Sequence, residues 1–295
     1  MHTPSRFLLS VILGGMLAAA HAAPTLPLNR TFIGEAKFNR LVQRGIDENW
    51  AALPIGKRTA RVGLALVGTP YKNFTLEIDD RIEAPSVNMV GMDCWTFFEI
   101  ALGTARALSW KDRPTSQDLL RLIEMDRYRG GKCTGYFDSR LHHLEDWQYD
   151  NAKRSLVRDL TPNLPGAKRM HREMAYMAKN WKSFRQLRAN PSLIPKIAKF
   201  EAAISKRGIW YIPKGSVRSI EPKLQDGDVI SIVTTWPGTY TSHVGLAVRD
   251  KSGTLRFLHA SRDKKQVVLD ARLSEYLAQF SKHAGIMVAR PVDLR

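Results

Sequence analysis

The chain has 295 residues, 44% hydrophobic and 25% charged, with 45 Lys and Arg against 28 Asp and Glu, a net charge of +17. Such proportions exclude a disordered or fibrous polymer and supply enough apolar residues for one substantial core. Two cysteines exclude a disulfide-built scaffold, and the positive excess favours anionic partners such as cell-wall polymers or anionic membrane surfaces.

Residues 1–22 read as a secretory signal peptide. Arg6 precedes an uncharged run from Phe7 to Ala20, and Ala20-His21-Ala22 has the small-x-small form of a cleavage site. The run is too short for a transmembrane span, no later stretch is long and apolar enough, and no cysteine stands at the site to carry a lipid. Cleavage near Ala23 removes one basic residue, so the mature charge stays about +16. The expectation is a periplasmic or secreted protein whose residues 23–295 form one domain. In that compartment nucleic acid is not an expected partner, and a monomer is favoured.

Helices are predicted over 35–49, 54–67 and 94–108. The second stops at Gly68-Thr69-Pro70. In the third, Cys94, Phe97, Phe98, Ala101, Ala105 and Leu108 share one face. From about 109 to 207 the sequence is polar, basic and helical in pattern. Thr115-Ser116-Gln117-Asp118 opens one helix as a capping box, and residues 168–188 and 192–206 read as two more. After Gly208 come short β-type runs at 209–212, 229–233, 244–248, 255–258, 267–269 and 286–289, with a short helix near 274–282. Helices first and an antiparallel sheet second make an α+β fold with a helical insertion.

Asp93 stands where an N-cap belongs, which makes Cys94 the first helical residue, beside the orphan N–H groups of the first turn. These groups would stabilise a thiolate and lower its pKa, and the same groups can bind the oxyanion of a tetrahedral intermediate. Cys94 is therefore read as a nucleophile; from its motif alone a buried structural cysteine is an equal alternative. Nucleophilic use requires it to be free, and Cys133 then reads as a packing residue. Asp250-Lys251-Ser252-Gly253 reads as a hairpin turn joining 243–249 to 255–261. An odd loop centred on 251 or 252 sets His243 opposite or diagonal to His259 on one face; an even loop separates them unless a bulge intervenes. His243 would then take the Cys94 proton, and His259 would accept from its other ring nitrogen and fix the tautomer. Gly245 and Ala247 on that face would let the Cys94 helix come close.

Four short pieces occur in order: Val67-Gly68-Thr69-Pro70-Tyr71, Asp93-Cys94, Leu224-Gln225-Asp226-Gly227-Asp228-Val229 and His243-Val244-Gly245-Leu246-Ala247, with Phe257-Leu258-His259-Ala260 at the third catalytic position. The set resembles the NlpC family of papain-like cell-wall cysteine hydrolases. Trp95 replaces that family's usual serine. The long insertion carries Gly135-Tyr136, Ser139-Arg140-Leu141-His142 and Asp146-Trp147, and Trp210-Tyr211-Ile212-Pro213-Lys214 follows it. Both features are similar to the N-acetylmuramoyl-L-alanine amidase-like branch.

The resemblance implies a papain-like fold and hydrolysis of the N-acetylmuramoyl–L-alanine amide in small peptidoglycan fragments, 1,6-anhydro forms included, through a Cys94–His243–His259 thioester mechanism. It implies no cofactor, and a substrate cleft drawn from Tyr71, Asp93, Trp95, Ser139, Arg140 and His142. Arg140 would hold a peptide carboxylate in bidentate geometry or pair with Asp146. Tyr71 would clamp the substrate, and Trp147 would stack on a sugar or sit in the core. Adjacent His142 and His143, with His171, lack zinc-ligand spacing, so no metal site is expected. Three other readings stay open: a D-γ-glutamyl-diaminopimelate endopeptidase of the same fold, a non-catalytic wall- or lipid-binding module, and acyl transfer by a papain-like lipid enzyme. The last has no motif beyond the Cys–His pair.

Overall fold

The computed structural model describes residues 25–294; the signal-peptide segment read in residues 1–22 lies outside them. The chain is α+β. Its principal helices are α1 (Glu35–Asp47), α2 (Ile55–Ala65), α3 (Cys94–Trp110), α4 (Ser116–Arg127), α5 (Leu144–Lys153), α6 (Ile194–Arg207) and α7 (Leu273–Ala278). Its principal strands are β1 (Val157–Asp159), β2 (Lys168–Met170), β3 (Ile209–Pro213), β4 (Val229–Thr234), β5 (Thr241–Arg249), β6 (Leu255–Ser261), β7 (Gln266–Arg272) and β8 (His283–Pro291). All eight strands join one sheet in the order β2-β3-β8-β4-β5-β6-β7, with β1 also on β8, and every pairing in it is antiparallel. No helix of the described residues is long and apolar enough to cross a membrane.

Local sequence sets the start of α3. Asp93 is extended and its side chain accepts from the Thr96 N–H at 2.8 Å, while the Thr96 hydroxyl accepts from the Asp93 N–H at 3.1 Å. A threonine thus closes the capping box in place of the usual glutamate. Thr115 and Asp118 cap α4 in the same reciprocal way.

The sheet is covered on both faces. α3 packs Phe97, Ala101 and Ala105 in one core with Val244, Leu246, Val248, Leu258 and Ala260. The other face carries Ile230, Ile232, Ala247 and Phe257 against Val217, Leu273 and Leu277. The expectation that Gly245 and Ala247 receive the Cys94 helix is therefore corrected: the alternate residues of β5 do so. A Cβ at Gly245 would instead meet the Leu258 carbonyl oxygen at 2.5 Å and the His259 Cβ at 2.8 Å, so its small size serves the neighbouring strand.

The predicted helix over 168–188 is not formed. Lys168–Met170 pairs with β3, and short helices cover Tyr176–Lys179 and Arg185–Ala189. The segment has helix-forming residues but no continuous apolar stripe to pack. Its polar groups are satisfied across the fold instead. The Arg172 guanidinium donates to the carbonyls of Thr234 and Trp236, and the Glu201 carboxylate on α6 accepts from the N–H groups of Met177 and Ala178.

Candidate active site

The β5–β6 register pairs Arg249 with Leu255 and Leu246 with Leu258, an odd loop centred on residue 252. Continued, it sets Gly245 opposite His259 and His243 on the diagonal, on the same face. A bulge at the start of β5, where Ile232 pairs with His243 but Val233 with Thr241, turns this end of the strand. The two rings meet at right angles, His243 Nε2 to His259 Nδ1 at 2.7 Å.

Behind them stands a residue absent from the sequence reading. The Asp270 carboxylate lies 3.2 Å from His259 Nε2 and 2.7 Å from the Lys264 ammonium. Its hydrogen bonds, with His259 first, hold its pKa far below the ordinary carboxylate range. An ionised carboxylate only accepts, so His259 Nε2 carries the proton and Nδ1 is the acceptor for His243 Nε2–H. The lone pair of His243 is left on Nδ1. Asp270 follows Val267-Val268-Leu269 on β7, and an acid closing an apolar strand opposite a histidine strand was the available signal.

Burial pushes the His243 pKa well below 6.5, reinforced by His259, His283 and Arg262; burial also lowers that of His259 against the pull of Asp270. Both rings are neutral at neutral pH. Cys94 is free, as is Cys133, whose thiol donates to the Glu83 carbonyl at 3.3 Å. The expected lowering of the Cys94 pKa is overturned. Burial pushes it up to about 12, the Asp93 carboxylate adds to the rise, and the N–H groups of Val244, Trp95 and Cys94 itself offset only part. At Cys94 the helix N-terminus does not outweigh desolvation beside the Asp93 carboxylate.

Cys94 and His243 lie at the junction of two cavities. One, of 620 Å³, extends past Tyr71, His259 and Tyr276 towards Arg262 and Lys282. The other, of 240 Å³, runs along Trp95, His142, Tyr176 and Phe184 and carries no Lys, Arg, Asp or Glu. It continues into a pocket of 150 Å³ that reaches Phe137 and Arg140. The insertion therefore forms one wall. Among the described residues no hydrogen bond joins Cys94 to His243, and no group of three His, Cys, Asp or Glu side chains could hold a metal.

The other predicted site residues divide. Tyr71, Trp95 and His142 line the cavities; His142 donates Nε2–H to the Phe137 carbonyl at 2.8 Å. Asp93 is occupied inward, one oxygen by Thr96 and the other by the Thr75 hydroxyl at 2.9 Å. The Ser139 hydroxyl donates to the Tyr136 carbonyl. Arg140 forms a buried bidentate pair with Glu83, at 3.0 and 2.6 Å, which also accepts from Tyr128. The alternative Arg140–Asp146 pair is absent, because Asp146 binds Arg129 and Arg207. Trp147, 1% exposed, packs edge-on against Phe98 in the core.

The N-acetylmuramoyl-L-alanine amidase-like (AmiA-like) family model matches residues 61–286. The chain belongs to this family. Among solved structures it is similar to an N-acetylmuramoyl-L-alanine amidase from Bacteroides uniformis ATCC 8492, with 29% identity and a TM-score of 0.74 over 81% of this chain and 99% of that one. A Bacteroides fragilis protein provisionally named a xylanase is 34% identical, with a TM-score of 0.70 over 77% of this chain and 98% of that one. Protein LPG0564 from Legionella pneumophila str. Philadelphia 1, of family DUF1460, shares the fold at 20% identity and a TM-score of 0.61, over 88% of this chain and 99% of that one. Among curated proteins none matches.

Proposed function

We propose that the protein is an exported cysteine amidase of the papain-like NlpC type that cleaves the N-acetylmuramoyl–L-alanine bond of peptidoglycan fragments. The observation that carries this reading is the line Asp270–His259–His243, which ends on an unprotonated Nδ1 in the cavities that Cys94 opens into. In a chain of the amidase-like family, that line is an apparatus for deprotonating a thiol.

The raised thiol and lowered imidazole pKa values make the resting pair neutral, so the base acts as attack begins. Cys94 Sγ bonds to the lactyl carbonyl carbon while His243 Nδ1 takes its proton. The N–H groups at the start of α3 receive the oxyanion. The C–N bond then breaks, and His243 returns the proton to the alanine nitrogen, which leaves as a free amine. Water, deprotonated by His243, hydrolyses the thioester to the lactyl carboxylic acid and the thiol. His259 and Asp270 orient His243 and stabilise its cationic form. Tyr71, Trp95 and His142 face the substrate; Asp93, Ser139 and Arg140 shape the cleft from behind.

Glycoside hydrolysis, suggested by the name of the Bacteroides fragilis protein, finds no support. It needs two carboxyl groups flanking the bond, one held protonated. Asp263 and Asp270 are the carboxylates of the large cavity. Asp270 is ionised and bound to His259 and Lys264.

The test is mass spectrometry of products from a muramyl tetrapeptide, in reducing and 1,6-anhydro forms, with wild type and Cys94→Ala. Free muramic acid with intact peptide, absent in the variant, is expected. A released muramyl dipeptide would assign the cut to the D-γ-glutamyl bond and overturn the substrate assignment. Salt-sensitive wall binding in both proteins without cleavage would leave a binding module.

A further inference from the structure

The cavities on the two sides of Cys94 differ in chemistry. The smaller one is neutral and aromatic: Trp95, Tyr176, Phe184 and His142 face it, and its hydroxyls come from Thr239, Thr241 and Ser242. Such a lining suits a sugar ring, whose apolar face packs on aromatics and whose hydroxyls need neutral partners.

The larger one is electropositive. Arg262, Lys264 and Lys282 stand along it, with Asp263 and Asp270 as its acids. Asp270 is turned inward between His259 and Lys264. The Arg262 side chain is 77% exposed and reaches only Asp263, at 3.9 Å. Lys282 is exposed, and among the described residues its ammonium has no carboxylate partner. At the same end His283 Nδ1 is a buried ring nitrogen with no hydrogen-bond partner. Lys282, without a carboxylate partner, and Arg262, held only by the 3.9 Å contact with Asp263, stand beside a space that opens at the nucleophile.

Given the amidase reading on which this rests, we infer that the cleft is polarised: the Arg262–Lys282 lobe is a subsite for the acidic stem peptide, and the Trp95–Tyr176 lobe holds the sugar. A stem peptide joined through the D-glutamate side chain keeps a free α-carboxylate there and others further along. The basic lobe thus recognises the leaving group, while the acyl group that becomes the thioester stays in the aromatic lobe. The assignment also gives part of the chain's positive charge a local use.

The probes are the tripeptide L-Ala-D-γ-Glu-meso-diaminopimelate and its analogue with the glutamate α-carboxylate amidated. Binding to Cys94→Ala is measured by calorimetry, with and without Arg262→Gln/Lys282→Gln or Tyr176→Ala. These side chains are exposed, and an unchanged melting temperature reports an intact fold. The free tripeptide is expected to bind more tightly than the amide. The double charge variant should weaken it about tenfold, reduce its salt dependence and bring the two peptides to parity. Tyr176→Ala should leave both affinities unchanged. Equal tripeptide affinity with and without the two charges, or a loss confined to Tyr176→Ala, overturns the assignment. If wild type leaves muramyl peptides uncut while the charge variant still loses tripeptide affinity, the acidic-peptide subsite stands and the amidase reading alone falls.

Discussion

Replacing Asp270 by asparagine separates a catalytic line from two histidines that merely share a core. Joining the 3.2 Å and 2.7 Å contacts through one imidazole places the carboxylate at most about 8 Å from His243 Nε2. At an effective dielectric near 20, a unit charge at that range is worth about 2 kcal/mol to an imidazolium, roughly thirtyfold in rate. Lys264, 2.7 Å from the other carboxylate oxygen, keeps its charge in the variant, so its field is common to both proteins and leaves this difference unchanged. An amide that turns its NH₂ towards His259 reverses both tautomers, removes the lone pair from His243 Nδ1 and costs more. The assay is kcat/KM on a muramyl tetrapeptide from pH 4 to 9, with circular dichroism to confirm the fold. A fall of about 30-fold or more is expected on the plateau. The acidic limb, already below pH 6.5 because burial disfavours the His243 cation, should move further to acid, since loss of an anion lowers that pKa again. Wild-type rates and an unmoved limb in a folded Asp270→Asn protein would refute the relay.

Three further outcomes follow from the geometry. Asp93→Asn keeps a good N-cap but removes the charge that helps raise the Cys94 pKa. Alkylation of Cys94 by iodoacetamide at pH 8 should become about tenfold faster, a shift of about one pH unit, and an unchanged rate would show that burial alone sets the thiol. Arg140→Ala leaves Glu83 buried without its bidentate partner and should cost about 3–5 kcal/mol in urea unfolding; a neutral result would mean that Arg140 is held for the substrate instead. Gly245→Ala pushes a Cβ onto the Leu258 carbonyl and against His259. It should cost about 1–3 kcal/mol of stability and displace His259, with kcat falling more than KM; wild-type melting and turnover would disprove that close approach.

The start of α3 was legible from sequence because every group that builds it is within four residues: the Asp93 cap, the Thr96 reply and Cys94 between them. The principal helices α1 to α4 and α6, and the strands from β3 to β8, were legible for a similar reason, since their apolar spacing or their bounding turns are local. The sequence narrowed the 243/259 relation to a question of loop parity, and the observed register, centred on residue 252, answered it by placing both histidines on one face. In the segment 168–188, charged residues with good helix propensity gave a helical reading that no apolar stripe supported, and pairing with β3 decided the outcome. Val244-Gly245-Leu246-Ala247-Val248 is apolar throughout because both sheet faces are covered, so its sequence could not say which face meets α3.

The sequence by itself picked out the residues that the proposed chemistry would use, since a thiol behind a helix cap and two histidines flanking one hairpin turn are local facts. Tertiary structure alone decided their protonation and their company. Asp270 meets His259 through a neighbouring strand, Glu83 meets Arg140 from 57 residues away, and Cys94 is pushed to about 12 by surroundings gathered from the whole chain. Hydrogen-bond capping acts over one helical turn, whereas desolvation and charge pairing sum over everything nearby in space, which the order of residues does not reveal.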